Sequence, residues 1–235
     1  MTAKENKKQA ARKTIFLALE SGEEGSEETI SVEVLEEAVL SAARAVFGRG
    51  GALVLAAADP LLPLLLTVAS EYQERAEPEL FVENPTPRPF IILENVQRIL
   101  TEEEVALWHD AGLLQLSERE RPWIAALSVL IERWQPVGMI CLGGRGRVRE
   151  SVGIFSEIAR GRLIFTVSAT GGDAALLGRD GLDVIAEDEV LRKELAREAD
   201  RGSLPEERES VHFQEEGSAV PLPLVMQRIV ERLLE

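Results

Sequence analysis

A chain of 235 residues, 45% hydrophobic and 29% charged, holds enough apolar material for one packed core and is shorter than the length at which cores usually split. Its formal net charge of −15 repels phosphate backbones and anionic membranes, which argues against nucleic acid and membrane partners. A small anionic ligand stays open, because local amides and a few arginines can make a positive pocket inside a negative envelope.

One cysteine, Cys141, excludes an internal disulfide and a multi-thiolate metal site, and a reducing cytoplasm is the simplest compartment. His109 and His212 stand in no ligand spacing, so neither a metal nor another cofactor is expected. Residues 1–13 are polar and lack an apolar h-region, and they read as a frayed tail rather than a secretory signal. The run Thr14 to Leu19 suits a buried first strand, and the polar stretch Glu20 to Glu28 a loop. Apolar residues from Val34 to Val46 recur every three or four positions, which predicts a helix over Ser31 to Phe47 closed by Gly48-Arg49-Gly50-Gly51. Ala52 to Ala56 is a second strand. Asp59-Pro60 then supplies a cap and a first-turn proline for a helix over Leu61 to Gln73. Asp59, Pro60 and Pro63 break the most apolar stretch, so it is not a membrane span.

Phe90 to Leu93 reads as a third strand, Thr101-Glu102-Glu103-Glu104 opens a capped helix, and Pro122 to Trp134 is another helix. Val137 to Leu142 is the clearest central strand. It enters Gly143-Gly144-Arg145-Gly146 and a helix over Val148 to Ala159, followed by a strand from Leu163 to Val167, the turn Ser168 to Gly172 and a helix over Asp173 to Leu177. Repeated alternation of strand and helix predicts an α/β, Rossmann-like domain over residues 14–185, with a parallel sheet covered on both faces. Residues 186–235 add a charged helix, a loop and an amphipathic helix over Leu222 to Leu234. That helix packs on the domain or at a dimer interface, and a homodimer is the expected assembly.

Ligands of open α/β sheets bind beyond the carboxyl ends of the strands. The best site there is Gly143, Gly144, Arg145, Gly146 and Arg147: glycines let a ligand approach the backbone, and Arg145, Arg147 and Arg149 offer charge-assisted contacts to phosphate. Glu150 is placed to reach a ribose hydroxyl or to act on a glycosidic bond. Ser168, Thr170, Gly171 and Gly172 form a second cradle, and Asp59 stands at the same rim or serves only as a cap. The structural alternative for both turns is a tight turn with arginines on an acidic surface. Tyr72, Trp108, Trp123 and Trp134 fall in helices and read as core. No GxxxxGK[ST], GxGxxG or GxSxG pattern is present, which removes the main support for kinase, dehydrogenase and serine-hydrolase readings.

Gly143-Gly144-x-Gly146-x-x-x-Glu150 resembles the PGGxGTxxE signature of the Lonely-Guy (LOG) phosphoribohydrolases and, more broadly, the SLOG superfamily of nucleotide-binding Rossmannoid domains. The likeness covers about residues 14–180 and includes Ile15 to Ala18, Val46 to Gly51 and Ser168 to Gly172. Leu142 and Arg147 replace the signature's Pro and Thr. The resemblance implies a stand-alone sensor of an ADP-ribose-like or NAD-derived signal, of the kind coupled to a separate effector protein in antiphage defence. The enzymatic alternative it implies is a nucleoside 5'-monophosphate N-glycosidase using Glu150. A scaffold binding only proteins is the third reading.

Overall fold

Among the described residues six parallel strands form one sheet: β1 (Thr14–Glu20), β2 (Ala52–Leu55), β3 (Ile91–Leu93), β4 (Leu114–Leu116), β5 (Gly138–Gly143) and β6 (Leu163–Thr166), in the order β4-β3-β2-β1-β5-β6. The computed structural model describes residues 13–21, 32–55, 59–75, 91–93, 100–116, 123–178 and 221–235. The expected tail before residue 13, the charged helix and loop over 187–216, and Phe90, Ala57 and Ala58 lie outside them. The helices are α1 (Val32–Gly48), α2 (Leu62–Arg75), α3 (Glu102–Asp110), α4 (Trp123–Trp134), α5 (Arg147–Ile158), α6 (Gly172–Leu177) and α7 (Leu222–Leu234), with a 3-10 turn at Ser168–Thr170. The chain is a parallel α/β protein with helices on both faces, a Rossmann-like architecture.

Continuous apolar runs make the central strands because both of their faces are covered. Every residue of β5 is buried, and along β1 successive side chains enter opposite layers. Ile15, Leu17 and Leu19 pack with α1, α2 and α7, whereas Phe16 and Ala18 pack with α4 and α5. The Phe16 and Phe155 rings meet at 6.1 Å and 43°, a tilted arrangement that aromatic quadrupoles favour. The capping box expected at Thr101 is formed, with Glu104 N donating to Thr101 Oγ1 and Thr101 N to a Glu104 carboxylate oxygen.

Strand β4 has no counterpart in the sequence reading. Three residues with Gln115 at the centre show no usable alternation; pairing with Ile91 to Leu93 makes them a strand.

Helix α7 is part of the monomer's own core. Val225, Met226, Ile229, Val230 and Leu233 are buried against the α1 side of the sheet. Ala38, Ala42 and Ala43 of α1 are fully buried. At the sheet, a Cβ on Gly138 would overlap Leu233. Polar ties pin the periphery: Arg49 pairs with Glu231, Lys13 Nζ donates to Leu234 O, and Arg228 lies 2.9 Å from Glu231. Burying five such side chains contributes roughly 1.5–3 kcal/mol each before conformational entropy is charged.

Candidate functional site at the sheet reversal

The strand order turns back between β1 and β5. The chain lays β1 to β4 outward in one direction and returns to place β5 and β6 on the other side of β1. Connections therefore diverge at the carboxyl ends of β1 and β5, the topological position at which open α/β sheets take ligands. Glu20 ends β1 there and Gly143 ends β5; the two are register partners.

The glycine turn is built by close packing. Gly143, Gly144 and Gly146 have φ of 63°, 106° and 124°, where a side chain is strained. A Cβ on Gly143 would stand 2.7 Å from Glu20 O, and one on Gly144 2.8 Å from Asp173 Cβ. Gly143 N donates to Thr170 Oγ1 at 2.8 Å, Thr170 Oγ1 donates to Val167 O at 2.7 Å, and Asp173 N donates to Gly144 O at 2.9 Å. A Cβ on Gly172 would overlap Gly144 O. The two turns taken from the sequence as neighbouring cradles are one interlocked unit.

That interlock changes where donors are available. From the sequence, a ligand is expected against the backbone of Gly143 to Gly146 and in the cradle of Ser168, Thr170, Gly171 and Gly172. In the structure Gly144 N donates to Glu20 O, Thr170 N to Val167 O and Gly171 N to Ser168 O. At the start of α5, Gly146 N (2.6 Å) and Arg149 N (3.1 Å) donate to Asp173 Oδ2, while Arg145 N (2.6 Å) and Arg147 N (3.2 Å) donate to Glu20 Oε2. Two carboxylates thus occupy the positive end of the helix, as the helix dipole favours. Asp173 is buried and Glu20 has a side chain 21% exposed, so Glu20 is the more accessible of the two.

Neither carboxylate was singled out as a ligand to the turn from the sequence. Asp173 reads as a helix start, and Glu20 stands 125 residues from Arg145; no local signal links them. Asp59 is buried and joins the rim from β2. Its Oδ1 accepts from Leu61 N at 3.0 Å, the capping bond, and its Oδ2 accepts from Ser21 N at 2.7 Å and Ser21 Oγ at 3.1 Å. Its role there is to tie the ends of β1 and β2 together.

The side chains of Arg145, Arg147 and Arg149 belong to exposed residues, as does Glu150 in the first turn of α5. The Arg147 guanidinium lies over the Trp123 ring at 5.6 Å, with its Nε 4.0 Å from Glu20 Oε1. Ser168 is half-buried and Thr170 fully buried. Cys141 is sealed within β5, and burial, reinforced by the Asp173 charge, holds its thiol protonated far above the usual range. It is inert in this state. Among the described residues no cluster of His, Cys, Asp or Glu could hold a metal ion, and no helix is long and apolar enough to cross a membrane.

No protein-family model matches the chain, and no curated protein matches it in sequence.

Proposed function

We propose that this chain is a binding module for a small nucleotide-derived ligand, of the ADP-ribose-like or NAD-derived class, seated at the β1/β5 reversal. The observation that carries the reading is coincidence: the glycine turn with three positive-φ positions lies at the one place where the strand order reverses. Three arginine residues border it in a chain of net charge −15. Phosphate oxygens would displace Glu20 from the Arg145 and Arg147 amides and take charge-assisted contacts from the arginine side chains. The displaced Glu20 carboxylate would be available to accept from a ribose hydroxyl. A SLOG-type sensor working through a separate effector protein is the finer form of this proposal.

Isothermal titration with ADP-ribose, NAD and AMP tests it. Binding of at least one at sub-millimolar concentration, weakened by Arg145→Glu, is the expected result; no binding by any of them overturns it. Under the glycosidase alternative AMP would release free base and Glu150→Gln would abolish the release, whereas the binding reading expects no release.

A further inference from the structure

Trp123 and Arg147 are the first residues of the neighbouring helices α4 and α5. Those helices lie together because Leu127 and Leu130 of one share a core layer with Val148 and Phe155 of the other. Trp123 is half-buried and packs against that layer, and the Arg147 guanidinium lies over its ring at 5.6 Å. The Arg147 side chain is itself 61% exposed.

Two groups hold this cation, and only one of them can keep its hold once an anion arrives. Glu20 presents both carboxylate oxygens here: Oε2 accepts from the Arg145 and Arg147 amides, and Oε1 stands 4.0 Å from Arg147 Nε. The carboxylate thus marks out the geometry of an oxyanion at the turn, with one oxygen on two amides and another facing a guanidinium. A phosphate that takes this position removes the Glu20 contact. An ion pair at 4.0 Å on an exposed side chain restrains it only weakly in any case. The ring contact is not displaced, because it engages the charge of the guanidinium through the aromatic face and leaves N–H groups of the fork for an oxygen.

We propose that Trp123 is a positioning residue, which keeps the Arg147 guanidinium beside the oxyanion position after Glu20 has left it. This deepens the proposed function and rests on it for the anion. A guanidinium held in place beforehand loses less side-chain freedom on binding, so the ring raises affinity without touching the ligand. The sequence reading places Trp123 in the core on helical position alone and has no means of pairing it with Arg147.

The test is a double-mutant cycle, titrated with whichever of ADP-ribose, NAD and AMP binds the natural chain most tightly. Trp123→Leu removes the ring in the natural chain and in the Arg147→Ala background, Trp123→Phe restores a ring, and circular dichroism checks that each variant is folded. The expected result is that Trp123→Leu weakens binding roughly two- to five-fold, the worth of an exposed cation–π contact. Trp123→Phe recovers most of that loss, and in the Arg147→Ala background Trp123→Leu costs nothing further. The Arg147 Nε–H resonance, identified by its absence from Arg147→Ala, is followed in the natural chain and should stand displaced by the ring current before and after saturation. Equal losses in both backgrounds, or no difference between Trp123→Leu and Trp123→Phe, make Trp123 a packing residue; either overturns the proposal and leaves the phosphate reading standing. An Arg147 resonance without ring displacement overturns it too, even if Trp123→Leu does not fold. Failure of all three compounds to bind overturns both.

Discussion

Glu20 and Asp173 divide the amides at the start of α5 between them, yet they have different physical roles. Asp173 is buried and serves Gly146 N and Arg149 N through one oxygen. Asp173→Ala would leave two amides without acceptors and is expected to cost about 2–4 kcal/mol of stability, measured by urea unfolding; an unchanged midpoint would show that water replaces the carboxylate without loss. Glu20 sits at the rim with the amides of Arg145 and Arg147. Removing it in Glu20→Ala vacates those donors and removes a negative charge, so affinity for a phosphate-bearing ligand should rise, by several-fold in calorimetry. A fall would mean that Glu20 contributes more to the ligand's hydroxyls than it withholds from its phosphate. The glycines were legible as a turn because a strand and a helix flank them. Their partners were not, since bonds such as Glu20 to Arg145 span 125 residues and leave no local pattern.

At the scale of elements, hydrophobic spacing located α1, α5 and α7 to within a residue or two, because each shows one apolar stripe to the sheet. The same stripe could not say what α7 packs against. Within one chain it covers the α1 face. Ile229 is fully buried there, and Ile229→Asp should unfold the chain in urea or heat rather than merely change its mass in light scattering. A folded variant of altered mass would instead place this helix between copies. At the helix rim, burial pushes the Glu231 carboxyl upward, but the hydrogen bond from Arg228 and the charges of Arg49 and Arg228 outweigh it and hold it below its ordinary value of 4.5. A folded-state value below the unfolded one gives stability that is present above about pH 4.5 and lost as pH falls through the lowered value. The stability gap between the natural chain and Glu231→Gln should therefore narrow below that pH; a gap independent of pH would remove the ion pairs from the account.

The whole molecule carries what no segment shows. Apolar runs such as Phe16 to Leu19 and Met139 to Leu142 identify strands buried on both faces, but runs so alike permit many orders. The order β4-β3-β2-β1-β5-β6 emerges only from the packing. That order selects one position among several strand ends, and it brings Glu20, Asp59, the glycine turn and Asp173 from four parts of the chain to one rim. The reversal thus gives the proposed function its location, and the arginines give it a sign. Calorimetric titration of ADP-ribose, NAD and AMP into the natural chain and into the Arg145→Glu, Arg147→Glu double variant tests this most directly, because both residues are exposed and their replacement should leave the fold intact. The account predicts sub-millimolar binding of at least one compound, reduced about ten-fold or more in the double variant. Absence of binding by all three, or binding that the double variant leaves undiminished, would contradict it.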